Sequence, residues 1–343
     1  MFLSGIDISF DIGTSNIRVY IADKGIVINE KTIVAVEKSL NKIVAIGDSA
    51  IEMLDSDQSD YSIIRPFKDG FIASYEILLF IFKYLINTVC RKNILIRPRI
   101  AICVPTKITS AEKRIFVEGT IEAGAKQVYL IEKPIAIAID RELDVSQPIG
   151  NMIVDIGGGV TSVSIMSFGG IMTSQSIKIA GEDCDDEIIK YIRKKYNFVI
   201  GKRTAQYAKE TIGEIYVKGR VFENKSIEVR GKDIETGLPK TEIITSEDIA
   251  TALNERVDMI IEFVKEVIEK TPDEFMLYLK NSGIIMAGGG SLLKGLDYLM
   301  AEETGIPVCT AEEPITCAVK GAGKLLKKLN GSNSSNVITN VPY

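Results

Sequence analysis

The chain has 343 residues, 46% of them hydrophobic and 25% charged, a globular composition with room for two domains. Its net charge of −5 leaves no electrostatic footprint for nucleic acid, which is excluded as a partner. Histidine is absent, which removes serine–histidine and cysteine–histidine nucleophiles, histidine metal sites and imidazole acid–base chemistry.

The apolar start, Met1 to Phe10, lacks a basic segment and runs at once into a glycine turn, so it does not read as a secretion signal. Residues 8–28, ISFDIGTSNIRVYIADKGIVI, form an apolar strand ending in Asp11, a tight turn and an alternating strand. In that second strand Ile17, Val19 and Ile21 face one way, Arg18 and Tyr20 the other. Ile77 to Ile86 is apolar but carries Lys83 and is too short to span a bilayer; it reads as a buried helix. Arg99 to Val104 is a buried strand stopped by Pro105. A helix follows with Thr109 and Glu112 spaced as a capping box, ending near Gly124. Val128 to Ile131 is a strand, and Pro134 opens a short helix.

Residues 152–172, MIVDIGGGVTSVSIMSFGGIM, repeat the first pattern at an offset of 144 residues, aligning Asp11 with Asp155 and Gly13 with Gly157. Two copies so far apart predict two similar lobes. Next, Glu182, Asp183, Asp185 and Asp186 crowd the start of a helix that finishes with Arg193, Lys194 and Lys195, matching the helix dipole. Residues 226–245 predict a hairpin around Thr236-Gly237-Leu238-Pro239, and Ile249 to Ile268 a long amphipathic helix opened by Thr245 and Asp248. Ile284 to Met286 is a strand leading to Gly288-Gly289-Gly290 and another helix. The tail after Asn330 has little to pack. The cysteines, Cys90, Cys103, Cys184, Cys309 and Cys317, show no zinc spacing and read as thiols in a reducing cytosol.

Three glycine turns thus follow apolar strands: Asp11 to Asn16, Asp155 to Gly159 and Gly288 to Ser291. Glycine lets backbone N–H groups approach an anion closely, so the set predicts a phosphate clamp with the nucleotide between lobes. Asp11 and Asp155 are the candidate magnesium holders, through water. No Walker-type P-loop and no GxGxxG fingerprint opening a helix is present.

The DxG hairpins and the GGGSLLKG turn resemble the actin-like ATPase superfamily, and within it the MreB family of bacterial actins. The resemblance is carried by IRPFKDGFIA (64–73), IRPRIAICVP (96–105), EAGAKQVYLIEKPIAIAI (122–139), GNMIVDIGGG (150–159), IGKRTAQYAKETIG (200–213), GKDIETGLPK (231–240), IIMAGGGSLLKGLD (284–297) and EEPITCAVKGAGKLL (312–326). It implies an α/β actin-like fold of two ribonuclease-H-like lobes around a nucleotide cleft, each with a small insertion. The expected division is 1–34, 68–147 and 318–330 for subdomain IA and 35–67 for IB. Subdomain IIA takes 148–183 and 249–317, IIB takes 184–248, and 331–343 is a flexible tail. The resemblance also implies ATP or ADP with magnesium, and self-association into cytoplasmic filaments serving cell shape or motility. Paralogous actin-like subunits are candidate partners.

By position, Gly13, Thr14, Ser15 and Asn16 correspond to the family's first phosphate loop. Gly157, Gly158, Gly159, Val160, Thr161 and Ser162 correspond to the second. Ala208, Lys209, Glu210 and Thr211 fall at the ribose and adenine contacts, and Gly288, Gly289, Gly290, Ser291 and Leu292 line the base. The departures fall on the hydrolytic positions: Lys133 stands where the family has a glutamate that activates water, Val160 where it has a threonine, and Ser74 where it has an aspartate. An ammonium cannot accept a water proton and valine can neither donate nor accept, so hydrolysis is expected to be slow or lost. The alternatives are an ordinary ATPase, in which Lys133 faces solvent and Glu132 serves as base, and a small-molecule kinase of the same superfamily. The insertion 35–67 shows no acceptor site for a kinase. Ile94, Leu95 and Ile96, flanked by Arg91, Lys92, Arg97 and Arg99, fall at the family's membrane loop and predict peripheral contact with an anionic inner membrane face, or else a packed strand edge.

Overall fold

The computed structural model describes residues 6–55, 60–68, 71–72, 74–90, 97–144 and 150–329. The chain divides into two compact units, one of Met1–Pro148, Ser167–Ser174 and Ile315–Tyr343, the other of Ile149–Met166 and Gln175–Pro314.

In the first unit β1 (Asp7–Ile12), β2 (Asn16–Ile21) and β3 (Gly25–Lys31) form an antiparallel meander. The predicted alternation holds in β2, where Ile17, Val19 and Ile21 are buried and Arg18 and Tyr20 are half-buried. Strands β4 (Val34–Glu37), β5 (Lys42–Ile46) and β6 (Tyr61–Ile64) make a separate small sheet beside α1 (Asp48–Asp55). The short pair β7 (Phe67–Lys68) and β8 (Phe71–Ile72) leads to α2 (Tyr75–Val89). As predicted, α2 is a core helix: Ile77, Leu78, Ile81, Phe82, Leu85 and Ile86 are buried, each stabilising by about 1.5–3 kcal/mol. Phe82 stacks on Phe10 of β1 with ring centroids 6.2 Å apart.

Then come β9 (Arg99–Val104), α3 (Ser110–Glu122), β10 (Gln127–Glu132) and α4 (Lys133–Asp140). The α3 cap is the predicted box: the Thr109 N–H donates to Glu112 at 2.9 Å and the Glu112 N–H to the Thr109 hydroxyl at 3.2 Å. The main sheet runs β10-β9-β1-β2-β3, with β9 parallel to both β1 and β10, so Asp11 and Glu132 lie towards the same ends of two parallel strands that flank β9.

The second unit repeats the plan. Strands β11 (Asn151–Ile156) and β12 (Thr161–Ser167) are antiparallel, and β13 (Gly170–Ile177) is the next neighbour of β12 in the sheet. They are followed by α5 (Gly181–Tyr196), β14 (Phe198–Val199), α6 (Lys202–Ile212) and the predicted hairpin, β15 (Ser226–Asp233) with β16 (Pro239–Thr245). Next are α7 (Ser246–Glu269), α8 (Asp273–Ser282), β17 (Ile284–Ala287), a 3-10 turn (Gly289–Leu292), α9 (Leu296–Thr304) and β18 (Val308–Thr310). The sheet order is β13-β12-β11-β17-β18, with β17 parallel to β11.

The last helix, α10 (Cys317–Lys328), returns to the first unit, where the Ser9 hydroxyl donates to the Val319 carbonyl at 2.7 Å. Gly321 is required there: a Cβ would lie 1.8 Å from the Ala136 carbonyl oxygen of α4. Among the described residues no helix is long and apolar enough to cross a membrane.

Candidate functional site

The internal repeat is geometric as well as textual. In the first turn the Gly13 N–H donates to the Asn16 carbonyl at 3.0 Å; in the second, the Gly157 N–H donates to the Val160 carbonyl at 3.0 Å. The paired residues obey the same offset: Asp11 lies opposite Arg18 in its hairpin and Asp155 opposite Ser162. Both aspartates stand at the C-terminal end of a strand with a parallel neighbour, the edge at which α/β sheets bind ligands.

In the first unit Asp11 is only 5% exposed, and the Lys133 ammonium is 2.8 Å from its Oδ1. An Arg18 guanidinium nitrogen lies 4.0 Å from its Oδ2. Lys133 reaches Asp11 because β10 ends beside β9 and Pro134 starts α4 immediately, turning the chain over the strand ends. Its side chain is 24% exposed and paired with Asp11, which disfavours the alternative in which it faces solvent. Glu132, its neighbour, meets a different charge: burial raises its carboxyl pKa, and Lys113 of α3 pulls the other way. Ser74 sits at the N-cap of α2, where its side chain makes no capping hydrogen bond.

One carboxylate facing two cations is a poor place for a magnesium ion. Unit charges 4 Å apart interact by about 4 kcal/mol at an effective dielectric near 20, and a divalent ion doubles the repulsion from the ammonium. Asp11 therefore does not fit the metal that the family resemblance implies. Among the described residues no cluster of three or more acidic or cysteine side chains could hold one.

In the second unit the glycine turn rests on the N-terminus of α5. The Gly181 N–H donates to the Gly157 carbonyl at 3.1 Å and the Glu182 N–H to the Gly158 carbonyl at 2.7 Å, satisfying amides that a helix start leaves open. Asp183 closes the same end by accepting from the Ala180 N–H at 2.9 Å. Thr161, next to Val160, is buried and its hydroxyl donates to the Ile179 carbonyl at 2.7 Å, so it is a structural group.

The third turn packs directly on the second copy. Gly288 has φ +79°, and a Cβ there would lie 2.3 Å from the Ile156 carbonyl oxygen and 2.5 Å from Asp155 Oδ1. Ala287 is the partner of Asp155 across β17 and β11, so Gly288 to Gly290 and Gly157 to Gly159 belong to one edge. The buried Ser291 hydroxyl donates to the Gly288 carbonyl at 2.7 Å, shaping the turn, while Leu292 is exposed.

Lys209 of α6 lies 2.6 Å from Asp185 Oδ1 and donates to the Gly181 carbonyl at 2.6 Å. It ties α6 to the start of α5. Burial pushes the Asp185 carboxyl up, with Lys209 opposing the shift. Ala208 is buried, whereas Glu210 and Thr211 are exposed on α6.

Each unit thus gathers its own share of the expected residues. Arg18, Gly181 and Asp185 were missed. Arg18 was legible as the residue opposite Asp11 in a tight hairpin; Asp185 was hidden among acidic residues that read as dipole partners. The apolar segment Ile94, Leu95, Ile96, with Arg91 and Lys92, lies outside the described residues. Of its expected basic flank, Arg99 is committed to Asp7, with Nε 2.8 Å from Oδ1, and Arg97 is exposed.

The MreB/Mbl protein family model matches residues 5–334. The cell shape-determining protein Mbl of Bacillus cereus is 41% identical over 324 residues, 94% of this chain and 96% of that protein. The cell shape-determining protein MreB of Escherichia coli K12 is 39% identical over 330 residues, 94% of each chain. Among solved structures, MreB 5 of Spiroplasma citri bound to AMPPNP superposes with a TM-score of 0.88 at 31% identity, covering 95% of this chain and 97% of that one. The MamK double helical filament shares the fold, with a TM-score of 0.77 at 19% identity, covering 94% and 99%. With an actin-like α/β fold and a family match along nearly its whole length, the chain belongs to the MreB/Mbl family.

Proposed function

We propose that this chain is a cytoskeletal actin-like protein that binds ATP or ADP, assembles into filaments that serve cell shape or motility, and hydrolyses ATP very slowly or not at all. The observation that carries nucleotide binding is the pair of glycine turns closed by the same N–H to carbonyl bond, each set at a strand end. Spiroplasma citri MreB 5, 31% identical, has been solved with AMPPNP and, in a second structure, with ADP, which supports the same ligand class here. The names of Mbl and MreB, cell shape-determining proteins, support the cytoskeletal role. The small sheets β5-β4-β6 and β14-β15-β16 support subdomains IB (35–67) and IIB (184–248) as insertions in two larger cores.

Slow hydrolysis rests on what stands where water would be activated. The Lys133 ammonium is paired with Asp11, Val160 has no polar side-chain atom, and the Thr161 hydroxyl is spent on Ile179. General-base assistance is worth about 10²–10⁴-fold in rate, so losing the base and the water-orienting hydroxyl together leaves little. Nucleotide then acts as a ligand that biases the chain toward polymer. Peripheral contact of the polymer with the inner face of the cytoplasmic membrane through Ile94, Leu95 and Ile96 belongs to the same proposal and rests on the apolar and basic pattern of that segment.

Sedimentation with electron microscopy, run with ATP, with ADP and without nucleotide, tests the assembly part. Filaments that pellet with nucleotide are the expected result. A chain that stays in the supernatant under all three conditions rejects it.

A further inference from the structure

Asp11, Lys133 and Arg18 form a charge cluster on the first unit. One buried carboxylate meets an ammonium at 2.8 Å and a guanidinium nitrogen at 4.0 Å. It lies at the root of the first glycine turn, two residues before Gly13, whose own N–H is closed onto Asn16. Backbone amides orient a phosphate but carry no net charge to neutralise it. A polyphosphate therefore needs a cation, which a bound divalent ion ordinarily supplies. Here a fixed cation already sits on the carboxylate that such an ion would use. The ion pair also holds the ammonium in place, because Asp11 is buried near a strand end and Lys133 begins a proline-opened helix.

We infer that Lys133 takes the place of the divalent cation: the ammonium held on Asp11 supplies the positive charge for the nucleotide's polyphosphate, and the chain binds nucleotide without magnesium. Lysine suits the task as a compact point charge that contacts phosphate without needing a bidentate geometry. The inference rests on the nucleotide-binding reading given above.

The test is equilibrium binding of a fluorescent ATP analogue to the full chain, measured in magnesium and in excess EDTA. It compares the wild type with Lys133→Gln and Lys133→Glu, each checked by thermal melting. The wild type should bind with affinities within about threefold in the two buffers, whereas Lys133→Gln should lose at least about tenfold in EDTA and regain most of it in magnesium. Lys133→Glu should depend on magnesium more steeply still; where it fails to fold, the neutral and nearly isosteric Lys133→Gln carries the comparison. A wild type that loses about tenfold or more on removing magnesium overturns the inference. So does a Lys133→Gln variant as indifferent to magnesium as the wild type. Absence of binding in both buffers overturns instead the nucleotide-binding reading beneath it.

Discussion

Lys133 sits beside Asp11 at the position where the family resemblance implies a glutamate, and the proposed loss of hydrolysis turns on that one side chain in three ways. It removes a proton acceptor, it occupies the carboxylate at 2.8 Å, and it adds a cation at the root of the first turn. Val160 compounds the loss, since its neighbour Thr161 is hydrogen-bonded to the Ile179 carbonyl and offers no substitute. The Lys133→Glu, Val160→Thr double variant should therefore release phosphate from ATP at least about tenfold faster than the wild type, a conservative share of the 10²–10⁴-fold that base assistance commonly supplies. Flat phosphate release in that variant removes these two positions from the explanation. The departures at 133 and 160 were legible as residue types, because charge and donor capacity travel with the letter. Their partners were not. Asp11 and Lys133 meet only because β1 and β10 flank β9, and that strand order is a long-range property.

The elements were legible wherever a local rule set them. The capping boxes of α3 and α7, the hairpin at 226–245 and the buried stripe of α2 all appear within a residue or two of their expected bounds. The tie of Lys209 to Asp185 and Gly181, which locks α6 to α5, had no local signal. At the start of α7, Asp248 does more than cap. It accepts from the Thr245 N–H at 2.9 Å, the Tyr196 hydroxyl at 2.8 Å and the Lys195 ammonium. Burial pushes its carboxyl up, but Lys195, Thr245 and Tyr196 together hold it below the usual carboxylate range. A depressed folded pKa gives stability that is present above the unfolded value, about 4, and lost as the pH falls through the folded one. Asp248→Asn should accordingly cost about 1–2 kcal/mol at pH 7. In urea titrations the gap to the wild type should narrow below about pH 4. A gap of constant size across that range places the effect in packing instead of charge.

At the scale of the whole molecule, the organising fact is a duplication read directly from the chain: two DxG hairpins at an offset of 144 residues become two sheets of the same plan with the same turn bond. The copies have diverged at the residue opposite each aspartate. Across its hairpin Asp11 has Arg18, whereas Asp155 has Ser162. A repeat can be recognised by its glycines and apolar periods because those set the backbone. The electrostatics of each copy depend on residues outside the repeat and emerge only from the fold. That divergence motivates the central claim, a polymer that uses nucleotide as a ligand and has given up hydrolysis as a clock. The most direct test is phosphate release measured on the same ATP-containing sample that is pelleted and imaged. The account predicts filaments with phosphate release far below one per polymerised subunit over the time of assembly. Filaments that release about one phosphate per subunit as they form would contradict it.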